Sequence, residues 1–130
     1  MSAIYSALDI LCNASIFGEG FPNVIAEAML CEVPCVVSNV GHSREVVGNC
    51  WPVVPPGNAE ALADACRTLL QRTESDAAAA GRLGRERIVK AFSVEALVAA
   101  TEAALRTIQP RVRLMRRSRD QLSAHGRAVK

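Results

Sequence analysis

The chain has 130 residues, 50% of them hydrophobic and 22% charged, a balance that suits one packed domain and excludes a chain disordered throughout. No apolar run approaches the ~20 residues that a membrane-spanning helix requires, and the opening Ser2-Ala3-Ile4-Tyr5 lacks the basic start and long apolar stretch of a secretory signal, so a cytoplasmic location is expected. The net charge of +2 is unevenly spread: 8 Lys or Arg stand against 12 Asp or Glu over residues 1–110, and 7 stand against 1 over residues 111–130. A mildly acidic body over 1–110 and a basic tail over 111–130 follow from that split.

Ile10-Leu11-Cys12 is a short apolar run followed by Asn13, Ala14 and Ser15, which predicts a buried parallel strand ending in a loop. Pro22 precedes Val24-Ile25-Ala26-Glu27-Ala28-Met29-Leu30. Those residues favour helix, and a proline at its start costs nothing because the first N–H groups have no intrahelical partner. Cys35-Val36-Val37 predicts a second strand after Pro34, and Ser43 to Val47 one or two helical turns. Val53-Val54 reads as a small third strand closed by Pro55-Pro56-Gly57.

Asn58 is placed to cap a helix with an apolar stripe of Leu62, Ala65, Cys66, Leu69 and Leu70. A helix over Asp76 to Ala91 is expected to turn Ala80, Leu83, Ile88 and Ala91 inward and Arg82, Arg85, Glu86 and Arg87 outward, with Gly84 weakening it. Ser93 should cap a last helix, striped by Val94, Leu97, Val98, Thr101, Leu105 and Ile108 and ended by Pro110. Alternating strands and helices imply a short parallel sheet with right-handed crossovers, an α/β fold. Two strands and a weak third are few for an independent doubly wound domain, so the sheet reads as part of a larger one.

The five cysteines (Cys12, Cys31, Cys35, Cys50, Cys66) are odd in number and lack paired metal-ligand spacing. Reduced, buried thiols are the reading, with Cys31 and Cys35 flanking a helix-to-strand turn. No metal and no cofactor are expected.

The segment Glu19-Gly20-Phe21-Pro22-Asn23-Val24-Ile25-Ala26-Glu27 sets two carboxylates eight positions apart around a helix start. Free N–H groups and the positive end of the helix dipole can receive a phosphate oxygen, and Gly20 permits close backbone approach. Carboxylates on either side can accept hydrogen bonds from sugar hydroxyls. On spacing alone, Glu19 reads equally as a loop charge and Glu27 as a solvent-facing helix residue.

"EGFPNVIAEAM", "VPCVVSNVGHSREVV" and "VVPPGNAEALADAC", in that order, resemble the carboxyl-terminal half of the GT-B retaining glycosyltransferases called group 1 or family 4, over about Ala7 to Ile108. The resemblance implies a partial Rossmann-like donor-binding domain over 1–110, with a nucleoside-diphosphate sugar as donor substrate and no metal requirement. By position it implies that Glu19 contacts the donor sugar's hydroxyls, that Gly20, Phe21, Pro22, Asn23 and Val24 lie against sugar and diphosphate, and that Glu27 holds the ribose hydroxyls. Gly41 and Glu45 fit the following loop. His42 stands where that family commonly has a second glycine, and reads as a solvated loop residue rather than an acid or base. Gly18 stands where a polar residue is frequent.

In that family an acceptor-binding half with a Gly-rich loop, and an Arg and a Lys that neutralise the leaving diphosphate, precede the segment matched here. Arg44 and Arg67 do not stand at those positions, so the chain alone is expected not to turn over. The readings are a donor-binding part of a hexosyl-transferring enzyme or a non-catalytic remnant or module that pairs with an amino-terminal half. A sugar-nucleotide epimerase of the same fold is weaker. Arg116, Arg117 and Arg119 lack interleaved aromatics, which argues against nucleic acid and leaves a solvated tail or a contact with anionic lipid headgroups.

Overall fold

The computed structural model of the protein describes residues 2–108, so the tail over 111–130 lies outside the described residues. The elements run α1 (Ser2–Tyr5), β1 (Leu11–Asn13), α2 (Asn23–Leu30), β2 (Cys35–Ser38), α3 (Ser43–Val47), β3 (Val53–Val54), α4 (Ala59–Leu70) and α5 (Glu74–Ala91). A further helix, α6, runs over 94–108. The strands form one parallel sheet in the order β1-β2-β3, with Leu11 opposite Cys35, Asn13 opposite Val37, and Val37 opposite Val53. The α/β alternation and the parallel sheet are as the sequence predicts. The first strand is set one residue later, and α1 was not foreseen: four residues give no helical period to read.

The chain divides into two compact units, one ending at Phe92 and one beginning at Ser93. In the first, every residue of β2 is buried, because α2 and α3 pack against it as well as α4. Ile25, Met29, Val36, Val37, Val46 and Val47 are fully buried, each stabilising by about 1.5–3 kcal/mol relative to exposure. In the second, Ser93 Oγ accepts from the Ala96 amide at 3.1 Å, the expected cap of α6.

Thr73 caps α5, which starts two residues before the expected Asp76, and the Asn58 cap of α4 follows the sequence. Asn58 Oδ1 accepts from the Ala61 amide at 2.9 Å, and Thr73 Oγ1 accepts from the Asp76 amide at 3.2 Å. The buried face of α5 follows it only in part, with Ile88 and Ala80 packed inward as expected. Gly81, Gly84 and Ile88 are the residues buried there, whereas Leu83 is 61% exposed, and in α4 Leu70 is turned outward likewise. The reason is close approach. A Cβ on Gly81 would lie 2.5 Å from the Glu32 carbonyl oxygen, and one on Gly84 3.0 Å from Trp51 Nε1, so α5 packs by its backbone where larger residues would hold it away.

Two arginines expected to face water also do structural work. Arg85 donates to the Leu30 carbonyl at the end of α2. Arg87 donates from Nε to the Val46 carbonyl at 2.9 Å and from Nη2 to that of Glu45. These cations satisfy carbonyls left unpaired where α2 and α3 end, at the negative ends of their dipoles. The cysteines correct the reading of buried thiols: Cys35 is buried and Cys12 exposed, with the other three partly buried. Cys31 and Cys35 do flank the turn between α2 and β2.

Candidate functional site at the carboxyl ends of the strands

Parallel strands place their following loops at one edge of the sheet, where ligands bind in open α/β folds. Here those loops run from β1 to α2, from β2 to α3 and from β3 to α4. The first begins with an Asx turn, the Ser15 amide donating to Asn13 Oδ1 at 3.5 Å. It is tied to the neighbouring strand by Ser38 Oγ, which donates to the Asn13 carbonyl at 3.2 Å.

Glu19 sits in that loop, half-buried, with its Oε1 accepting a hydrogen bond from the Ser15 hydroxyl. Holding one carboxylate oxygen leaves the other, Oε2, to accept from a ligand. The loop after β2 lies directly against this one. Gly41 has φ +54°, and a Cβ there would stand 2.1 Å from the Glu19 carbonyl oxygen. The His42 amide donates to the Gly20 carbonyl at 3.4 Å. Thus Ser15, Glu19, Gly20, Gly41 and His42 come together, although they are spread over 28 positions of sequence.

Pro22 caps α2 with no side-chain hydrogen bond, so the cap residue itself leaves the Asn23 and Val24 amides at the helix start open. Both residues are exposed, as is Gly20. The Phe21 ring packs against Phe92 at a centroid distance of 5.3 Å, tilted by 59°. Its side chain therefore anchors the loop to the end of α5, and what the segment offers a ligand there is backbone. Glu27, on the second turn of α2, is exposed and stands against the Tyr5 hydroxyl. Hydrogen bonding to that carboxylate, with burial and its charge adding, raises the Tyr5 pKa above its ordinary value of 10. His42 is exposed, its Nε2 3.9 Å from Glu45 Oε2, a surface pair of small energetic weight. Arg67 is paired with Asp64 on α4 at 2.5 Å.

A small cavity of about 140 Å³ opens beside the site, with Ala14, Ile16, Ser38, Val54, Pro55 and Leu62 among its lining. Sequence reasoning missed Ser15, Tyr5 and this cavity. A serine four positions before Glu19 in a strand-end loop was the available signal for the first; the other two depend on packing between distant segments.

The family described as "Glycosyl transferases group 1" matches residues 1–72, just over half of the chain. The chain belongs to this family. Within the group 1 glycosyltransferases it is similar to the phosphatidyl-myo-inositol mannosyltransferase of Mycobacterium leprae (strain TN), 38% identical over 72 residues, or 54% of this chain and 19% of that protein. Among solved structures it resembles sucrose-phosphate synthase from Thermosynechococcus elongatus (TM-score 0.69, 32% identity) over 82% of this chain and 27% of that one. It likewise resembles a glycosyltransferase from Rickettsia africae ESF-5 (TM-score 0.67, 27% identity) over 82% and 29%. Anabaena HepE, solved in complex with UDP (TM-score 0.68, 26% identity), matches over 80% and 29%. The architecture is that of part of a GT-B glycosyltransferase, and the chain spans under a third of the length of each of these relatives.

Proposed function

We propose that this chain is the donor-binding part of a group 1 glycosyltransferase that moves a hexosyl group from a nucleoside-diphosphate sugar to an acceptor, with retention. The observation that carries the reading is the junction of the Glu19 loop with the Gly41 loop at the carboxyl edge of the sheet. Likeness to a structure solved with UDP supports it. Glu19, held by Ser15, accepts hydrogen bonds from the donor sugar's hydroxyls. The backbone of Gly20, Phe21, Pro22 and Asn23 lies against sugar and diphosphate, the Asn23 and Val24 amides receive a phosphate oxygen, and Glu27 holds the ribose hydroxyls.

Breaking the bond between sugar and diphosphate builds negative charge on the leaving phosphate, and fixed cations aimed at that oxygen lower the barrier most. Arg67 is already engaged by Asp64, and Arg44 stands on α3. The chain therefore binds donor without turning it over and requires a partner half that supplies cations and acceptor contacts. The test is titration calorimetry with UDP and with GDP on the wild type and on Glu27→Ala, alongside a donor-hydrolysis assay. Binding that is lost in Glu27→Ala, without turnover, is expected; equal binding by both proteins removes the ribose contact, and steady turnover by the chain alone removes the need for a partner.

The engagement of Arg67 by Asp64 favours one second reading, a non-catalytic nucleotide-sugar-binding module. Co-purification with an amino-terminal glycosyltransferase half that restores transfer would reject it. For the tail over 111–130 we propose contact with anionic lipid headgroups at the cytoplasmic face of a membrane. Sedimentation with phosphatidylserine vesicles should be lost when the tail is removed, and unchanged sedimentation rejects the contact.

A further inference from the structure

We propose that Cys12 and Cys66 form a dithiol that closes to a disulfide, stapling β1 to α4. Their sulfurs lie 3.9 Å apart although the residues are 54 positions apart in sequence. Cys12 is the middle residue of β1 and is exposed; Cys66 is partly buried on α4. Alternation along the strand sets Cys12 on the same face as Ala14, and helical spacing sets Cys66 one turn beyond Leu62 on the same face of α4. Ala14 and Leu62 both line the cavity. A bond between the cysteines thus ties β1 to α4, the elements that lead to or carry those two lining residues.

A disulfide needs its sulfurs at about 2.05 Å, so closure asks each sulfur to move by about 1 Å, within reach of rotation about its Cα–Cβ bond. By contrast Cys35 lies sealed in the core, its Sγ directed at the Val33 carbonyl at 3.4 Å. The chemistry balances with a low-molecular-weight disulfide such as oxidised glutathione as oxidant. The exposed Cys12, on losing its proton, attacks one sulfur of that disulfide and expels a glutathione thiolate. Cys66, deprotonated in turn, attacks Cys12 Sγ in the mixed disulfide and expels the second glutathione. Two protein thiols are oxidised, one disulfide is reduced to two thiols, and two protons leave with them.

This inference does not rest on nucleotide-sugar binding. The full chain is incubated with oxidised glutathione and mapped as peptides without reduction. The expected product is a Cys12–Cys66 linked peptide about 2 Da lighter than the sum of its parts, with a thermal midpoint above that of the reduced protein by several degrees. Cys12→Ser and Cys66→Ser should show neither change while keeping the circular dichroism of the wild type. Should a variant not fold, the linked peptide of the wild type decides alone. Persistent glutathionylation of Cys12 without the link, pairing with another cysteine, or links only between chains would overturn the proposal.

Discussion

A Cβ at Gly41 would stand 2.1 Å from the carbonyl oxygen of Glu19, well inside the distance at which carbon and oxygen can coexist, so the loop bearing the acid and the loop after β2 touch only because residue 41 has no side chain. Its φ of +54° points the same way, since that conformation strains L residues other than glycine. In Gly41→Ala the two loops must part. Expected are a loss of about 1–3 kcal/mol of stability by urea unfolding and, on the proposed function, at least tenfold weaker nucleotide-sugar binding by calorimetry. Unchanged stability would mean that the loops part freely.

Ser15→Ala removes the hydroxyl that holds Glu19 Oε1. Because the pair is only part-buried, stability should fall by no more than about 1 kcal/mol. The specific effect should appear in binding. The affinity difference between a nucleoside-diphosphate sugar and the bare nucleoside diphosphate should shrink by roughly fivefold to tenfold, the sugar contact alone being loosened. An equal loss for both ligands would assign Ser15 to the fold instead.

Tyr5 is the sole tyrosine of the chain, so tyrosinate absorbance near 295 nm reports it alone once Trp51 is accounted for. Its hydrogen bond to Glu27 stabilises the protonated phenol and raises the folded pKa above 10. The folded state therefore keeps a proton that the unfolded state loses at about pH 10. The stability this contributes is whole below pH 10 and is lost as pH rises through the folded value. Glu27→Gln should return the titration towards 10, and a titration that stays put would deny the contact.

Gly81→Ala sets two effects against each other. Alanine in place of glycine favours a helix by about 1 kcal/mol. Here the added carbon would meet the Glu32 carbonyl at 2.5 Å, a backbone atom that cannot swing aside, and α5 would be pushed off α2. The contact should win, giving net destabilisation by about 1–3 kcal/mol. Gly84→Ala should also move the emission of Trp51, the sole tryptophan, whose Nε1 lies 3.0 Å from the new carbon. Stabilised variants would place α5 further from the core than described.

The alternation of strand and helix and the Asn58 and Ser93 caps were legible because they are local. Propensity, capping and hydrophobic period act over a few residues, and α2, β2, β3 and α4 follow from them. The face of α5 was legible only in part, through Ile88 and Ala80. Period counting assigns Leu83 inward on size, whereas packing chose Gly81 and Gly84 because Glu32 and Trp51, distant in sequence, leave room for nothing larger. Arg85 and Arg87 read as solvent-facing until the ends of α2 and α3 are placed beside them. In the same way the segment from Glu19 to Glu27 names both carboxylates. Only the tertiary structure decides that Ser15 holds one, that Tyr5 faces the other, and that Gly41 lies against the Glu19 backbone, because these contacts arise where separate loops and helices meet.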